Sequence, residues 1–401
     1  MSPQPPAIGF ACLWDSVPER TWSYTPWNLR AGMARAGDIV DVGVQMPPLS
    51  RRLLKALHLR RHAGHLTTNW AYSRLTDAYS GRILRRGLAG GNAGTGGCDA
   101  VLTIGDLAIL PVPFFTYQDL SYDALIAASA GVGELAALLS ISPATVRRRR
   151  ERQLAIYAQA SGIIAMSQWF ARTLVDQTGV PAEKVHVVHP GVSSGQALGP
   201  ARQAAGAEPP GPALSERPPP RRRLLFVGYD FHRKGGDLVV AALTRLRREL
   251  DPQLTLTVAG PKAWPLAGAV PDGVRFLGAL PPGEVADLYD DHDLFVMPSR
   301  MEPFGIVFAE AISRGLPCIA RDAFAMPEIV RPGETGALVG SDDVPELAAA
   351  IATALTSDEL YATCAARAAQ AAAYFSWERA GREVVDVISG ALRHLPATLR
   401  A

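Results

Sequence analysis

VMPSRMEPFGIVFAEAISRGLP, residues 296–317, decides the fold of this chain. Its first residues, with the preceding DLF, complete an apolar run short enough for a buried strand. SRMEPFG follows as a turn, with Pro298 and Pro303 breaking any regular element there. IVFAEAISRG then has helical spacing and ends at Gly315. Strand, turn and helix in that order make one βα unit. Two carboxylates flank the join of turn and helix, Glu302 and Glu310, with seven residues between them. The first amides of a helix have no partner inside it, and the dipole favours negative charge, so a helix start after a glycine is a ready anion site.

Outward from this stretch the same alternation recurs. LLFVGY, DFHRKGG and DLVVAALTRLRREL read as strand, loop and helix; LTLTVAG, VRFLGAL and PCIARD read as further strands, and PGEVADLYDDH as a short helix. This predicts a doubly wound unit of about 150 residues, a parallel sheet with helices on both faces. An earlier series precedes it. AIGFAC, DIVDVGV, DAVLTIG, LPVPFFTYQDL, GIIAMS and KVHVVHPGV read as strands. Ser142 caps a helix whose first position is Pro143. Residues 50–86, rich in Arg and His, have mostly helical spacing, and the Ala-rich run 124–139 reads as one helix. GLAGGNAGTGG lacks a following Lys-Ser/Thr and leads into a strand, so it reads as a loop and not as a phosphate loop.

Residues 195–223 are rich in Pro, Gly and Ala and nearly free of large apolar side chains, the composition of a linker. The expected organisation is two Rossmann-like doubly wound α/β domains, 1–194 and 224–378. The linker 195–223 joins them, and an amphipathic helix in 379–401 crosses back to the first. Ligands of such sheets sit at the carboxyl ends of the strands, so the cleft between the domains is the expected site.

A net charge of +2 is too small to argue for nucleic acid. Four separated cysteines, with no C-x-x-C pair, suggest neither zinc nor a disulfide framework and suit a reducing cytoplasm. The N-terminus lacks a basic start followed by a long apolar run, and no stretch reaches the ~18 apolar residues of a spanning helix. The Arg run at 147–150 suits contact with an anionic lipid surface, and equally a solvated helix face.

Two clusters carry chemistry. FVGYDFHRKGG puts Gly228 at a strand end and Arg233 with Lys234 just before a helix, where cations can neutralise a diphosphate. A solvated turn in an Arg-rich chain is the plain alternative. Glu302 and Glu310 sit in an otherwise nearly apolar stretch, and acids so placed are paired or liganded. A nucleotide sugar accounts for both clusters, since its phosphates want amides and cations and its hydroxyls want carboxylates.

SRMEPFGIVFAEAISRGLPCIARDAFAMPEIVRPGETGALV resembles the donor-binding signature of the retaining glycosyltransferases of family 4, which have the GT-B fold. FVGYDFHRKGGDLVVAAL, VHVVHPGV, VRFLGAL and DLFVMPS stand in the order of that family, and the resemblance covers roughly 155–385. It implies transfer of a hexose from a nucleotide diphosphate sugar to a hydroxyl acceptor with retention of configuration, by attack on the face from which the diphosphate leaves. The acceptor is a sugar, a lipid-linked sugar or a small molecule. By motif position Glu310 binds the ribose. Glu302 and the amides of Phe304, Gly305, Ile306 and Val307 hold sugar hydroxyls and phosphate. Arg233 and Lys234 bind the diphosphate, and the backbone near Leu280 frames the base. No cofactor and no metal is expected, because the cations do the neutralising and no D-x-D cluster appears where a metal would be needed.

Two places depart from the family pattern. Tyr229 stands where many relatives carry Arg, and Gln118 where many carry His, with Asp119 after it. Asp119 is then the expected sugar- or acceptor-facing carboxylate, while His189 at another strand end reads as a packing residue. Two other functions suit the same architecture. A nucleotide-sugar epimerase would release free nucleotide with no acceptor, and a non-catalytic nucleotide-sugar-binding protein would bind donor without turnover.

Overall fold

The computed structural model describes residues 6–62, 65–89, 97–192 and 220–394. The chain forms two compact units, Met1–Gly191 together with Trp377–Ala401, and Val192–Ser376. Most of the linker-like stretch 195–223, and most of the Gly-rich stretch 87–97, lie outside the described residues.

The first unit contains β1 (Ala7–Ala11), β2 (Asp38–Asp41), β3 (Leu59–His62), β4 (His65–Thr68), β5 (Ala100–Ile104), β6 (Phe114–Gln118), β7 (Gly162–Ala165) and β8 (Val185–Val187). Six of them form a parallel sheet in the order β2-β1-β5-β6-β7-β8. Every residue of β5, β6 and β7 is buried, as in a sheet covered on both faces. Ile8, Phe10, Tyr117 and Ile164 of this sheet share a core with Leu29, Met33, Val384, Val385 and Ile388.

The last three of those side chains come from the helix Trp377–His394, so the chain returns to its first unit after completing its second. Ala380, Gly381, Val384, Val385, Ile388 and Leu392 share its buried face, a helical period written in the sequence. Its partner is the helix Thr25–Met33, and the two backbones touch where Gly32 meets Gly381. A Cβ on either glycine would overlap main-chain atoms of the facing helix. Gly381→Leu is therefore expected to destabilise the protein by on the order of 3 kcal/mol, read as a lowered urea midpoint. An unchanged midpoint would show that the crossing is not tight.

Three local expectations are refined or corrected. Residues 50–86 are mostly helical as expected, but an antiparallel hairpin, β3 with β4 in the register Leu59 to Thr68, separates helices Pro48–Leu57 and Arg74–Ala89. The Ala-rich run is two helices, Tyr122–Ala128 and Val132–Leu138, because Ala130 and Gly131 adopt positive φ (56° and 131°) and end the first. The Arg run is largely turned inward. Arg148 and Arg149 lie 2.9 and 2.6 Å from Asp77, Arg149 and Arg152 lie 3.3 and 3.4 Å from Asp106, and Arg150 lies 2.5 Å from Asp123. Burial pushes the Asp106 carboxyl up, against the pull of Arg149 and Arg152. These guanidiniums tie helix Pro143–Gln159 to the loop after β5.

The second unit contains β9 (Arg223–Val227), β10 (Thr255–Ala259), β11 (Val274–Gly278), β12 (Leu294–Val296), β13 (Cys318–Arg321) and β14 (Gly336–Val339). They form a parallel sheet in the order β11-β10-β9-β12-β13-β14. The chain builds outward from β9 to β11, then resumes beside β9 with β12 and builds the other way. The reversal lies between β9 and β12. In open α/β sheets the crevice at such a reversal is the ordinary ligand position, because the two following loops diverge there. Both unit architectures are thus doubly wound, as the strand and helix alternation predicts.

Candidate functional site

The two loops at that reversal carry Gly228, Arg233, Lys234, Glu302, Phe304 and Gly305 of the residues singled out in the sequence. The first leaves β9 at Gly228 and reaches helix Gly236–Glu249. Phe231 anchors it: the ring is 3% exposed and packs edge-on against Phe226 and Trp264, with centroids 5.4 and 6.0 Å away. Backbone bonds from Lys234 to Asp230 O (2.9 Å), Gly235 to His232 O (3.0 Å) and Gly236 to Phe231 O (2.8 Å) wind the loop tightly. Gly235 takes φ +78° to enter the helix, and no side chain caps it.

The second loop leaves β12 and reaches helix Ile306–Ile312 through Gly305, at φ +93°. This helix has seven residues and stops before Gly315. Its dipole is correspondingly small, so anion binding here rests on the first-turn amides, which no side chain caps. The loops are stitched together. The Arg300 amide donates to Arg233 O (2.8 Å), and the buried Ser299 hydroxyl donates to Arg233 O (3.3 Å) and Met301 O (3.0 Å).

Lys234 and Glu302 meet across this seam, with Nζ on Oε2. Their side chains are 16% and 10% exposed, so the pair is shielded but reachable. Arg233 turns otherwise, donating to Met301 O (2.5 Å) and to the Asp230 carboxylate (2.9 Å). Phe304 is 3% exposed and packs on Phe375, so its ring holds the turn. Tyr229 is 71% exposed beside Gly228. Leu280 follows β11 at the same carboxyl edge of the sheet, half-buried.

Glu310 is the fifth residue of its helix and accepts a 3.0 Å hydrogen bond from the Tyr289 hydroxyl. Burial, then the neighbouring Glu310 charge, pushes that phenol well above its ordinary range, so it stays a donor and fixes the carboxylate. The sequence reading missed Tyr289, because nothing in DLYDDH separates an orienting tyrosine from a core one. It also missed Arg300. That guanidinium grips both oxygens of Asp237 at 2.8 and 2.9 Å and reaches Asp342 at 2.7 Å, which Arg321 also pairs with. These bonds raise its pKa, the hydrogen bond to Asp237 most of all. Arg300→Lys loses the two-pronged fit. It is expected to lower kcat/KM by on the order of 10²-fold, the cost of a misplaced site, with little change in circular dichroism. Full activity in that variant would remove Arg300 from the scaffold of the site.

Asp119 belongs to the other unit, directly after β6. Gln118 before it is 5% exposed and accepts a 2.5 Å bond from the Tyr157 hydroxyl. Its side-chain oxygen is thus engaged with a core tyrosine. The main-chain oxygen of His189 accepts from Arg379 at 2.7 Å, so its backbone helps to dock the C-terminal helix.

Residues 214–371 match the model of group 1 glycosyl transferases, and residues 136–196 match that of glycosyltransferase family 4. The chain is 31% identical over 255 residues to a D-inositol 3-phosphate glycosyltransferase of Thermobispora bispora, covering 60% of this chain and 58% of that one. It is 36% identical over 179 residues to a glycogen synthase of Mycobacterium tuberculosis, covering 42% and 43%. The chain therefore spans less than two thirds of the length of these relatives. Among solved structures it resembles a sucrose-phosphate synthase of Thermosynechococcus elongatus, with TM-score 0.65, 19% identity, and 95% and 98% coverage. It also resembles Anabaena HepE in complex with UDP-glucose, with TM-score 0.58, 17% identity, and 96% and 99% coverage.

Proposed function

Because the chain belongs with the family 4, group 1 glycosyltransferases and has their GT-B fold, we propose that it is a retaining hexosyltransferase using a nucleotide diphosphate sugar. The observation that carries this reading is the pair of Lys234 with Glu302 at the reversal of the second sheet. A cation and a carboxylate side by side suit a ligand that is anionic at one end and hydroxylated at the other. Lys234 takes the diphosphate, and Glu302 accepts from sugar hydroxyls. Arg233, braced on Met301 O, adds charge at the same lip. The amides of Gly305, Ile306 and Val307 receive phosphate or sugar oxygens, and Glu310, oriented by Tyr289, accepts from the ribose diol. Gly228 stands at the strand end beside this lip, and the backbone near Leu280 frames the base.

In the transfer step the bond from the anomeric carbon to the diphosphate oxygen breaks, and the acceptor oxygen bonds to that carbon on the same face. The acceptor proton passes to a phosphate oxygen of the leaving group. Lys234 and Arg233 stabilise the charge that grows on the diphosphate, so no metal and no cofactor is called for. Asp119 serves as the carboxylate facing the acceptor or the sugar. The four free cysteines suit a reducing cytoplasm, where we place the reaction.

The test begins with UDP-, GDP- and ADP-sugars in thermal shift, since a ligand of the native state raises Tm. UDP-glucose heads the panel because HepE is seen with it, and inositol 3-phosphate heads the acceptors because of the relatives' name. An α-linked product from an α-linked donor, seen by NMR, supports the proposal. No Tm rise with any nucleotide sugar, or an inverted product, would overturn it.

A further inference from the structure

The helix Pro48–Leu57 in the first unit is packed the wrong way round for a soluble domain. Its charged Arg51 is buried, 8% exposed, and donates to Trp14 O, with Asp15 3.5 Å away. Its leucines point out: Leu49, Leu53 and Leu57 are 69, 56 and 70% exposed. The spacing of four sets them in one stripe along the helix. Leu54 alone of its leucines turns inward. Exposed Arg52 and Lys55 flank the stripe on one side, and Lys55 Nζ lies 5.6 Å from the Trp70 ring. Leu59, on the strand that follows, is 54% exposed.

An outward leucine stripe needs a partner, since each exposed side chain forgoes burial. The charge around it says which. Besides the inward-turned Arg51, residues 42–76 contain Arg52, Lys55, Arg60, Arg61 and Arg74 and no Asp or Glu. A partner protein surface of mixed charge gains nothing from such a bias, whereas an anionic lipid surface complements it. Ten residues are too few to span a bilayer, which takes about 20, but suffice to lie along the interface with leucines in the acyl boundary and cations among the headgroups.

We propose that the face bearing Leu49, Leu53 and Leu57, flanked by Arg52 and Lys55, docks this protein on an anionic membrane surface. The Arg run at 147–150 is not that surface, because Arg148, Arg149 and Arg150 are engaged with Asp77, Asp106 and Asp123. Docking of this kind is independent of the donor site, so its failure leaves the glycosyltransferase reading intact.

The experiment is flotation of the full chain with vesicles of phosphatidylcholine containing about one third phosphatidylglycerol, against phosphatidylcholine alone. Binding is expected only to the anionic vesicles and is expected to weaken as salt rises. Replacing Leu49, Leu53 and Leu57 together by Ser should reduce binding more than ten-fold. Arg52→Gln and Lys55→Gln should each weaken it about five-fold. The Ser variant should keep its Tm and its nucleotide-sugar binding. Equal flotation with neutral vesicles, no flotation at all, or a Ser variant that floats like the parent overturns the proposal. So does a dimer in light scattering that the Ser variant converts to monomer, since the face would then bind a second copy.

Discussion

Lys234→Ala is expected to lower kcat for sugar transfer by on the order of 10²–10³-fold, the loss typical of one preorganised donor to a developing anion. It should also weaken binding of the free nucleotide diphosphate. Glu302→Gln separates the two partners of the pair. The carboxylate and the diphosphate carry like charges, so removing it should leave nucleotide affinity unchanged or tighten it, by up to about ten-fold. Transfer should nevertheless fall by about 10²-fold, because the sugar hydroxyls lose their acceptor. Opposite movements of nucleotide affinity in the two variants are the signature. Parallel loss of nucleotide affinity in both would mean that the pair is only a structural seam. Lys234→Ala leaves a carboxylate with 10% side-chain exposure without its cation, so a stability loss of about 3 kcal/mol is also expected. The double variant Lys234→Met with Glu302→Gln should recover most of that stability and none of the activity.

Gly235→Ala is expected to cost about 2–4 kcal/mol, measured by urea unfolding. Left-handed backbone alone accounts for about 1–2 kcal/mol. The remainder is steric: a Cβ at Gly235, whose φ is +78°, would stand 2.6 Å from Pro298 O and 3.1 Å from its carbonyl carbon. Neither loop can yield cheaply. Pro298 is followed by Ser299 and Arg300, both bonded to Arg233 O, and Gly235 itself is bonded to His232 O. Relief therefore means parting the loops, which would also pull Lys234 off Glu302. Loss of transfer should accompany loss of stability here. Gly268→Ala offers the control, since its φ is also positive (+83°) but nothing lies within 4 Å of a Cβ there. It should show the backbone cost only. Equal stability losses in the two variants would refute the steric account.

The alternation of strands and helices was legible in the sequence because parallel strands buried on both faces leave short apolar runs between polar helical periods. So was the clustering of charge in two loops, each just past a strand and before a helix. The hairpin of β3 and β4 was not legible, since LRRH and HLTT carry no clean two-residue alternation. Nor was the break at Ala130, where alanine takes a left-handed conformation that its propensity opposes. Helix Pro48–Leu57 was readable as a helix, but its orientation was not. An amphipathic pattern fixes two faces, and convention assigns the apolar one inward; here Trp14 O and Asp15 hold Arg51 inside and reverse the assignment.

By itself, then, the sequence determined that there would be two doubly wound units, and it marked Arg233, Lys234, Glu302 and Glu310 as candidate site residues. These follow from local periodicity and loop position, which neighbouring residues settle among themselves. Only the tertiary structure decided that Lys234 would close on Glu302, that Tyr289 would aim Glu310, and that Arg300 would brace the seam. Each of those contacts joins residues far apart in the chain, 68, 21 and 63 positions respectively. Strand order brings them together: β12 returns to lie beside β9, so the loop after each reaches the other, and the helices before and after β12 bring Tyr289 to Glu310.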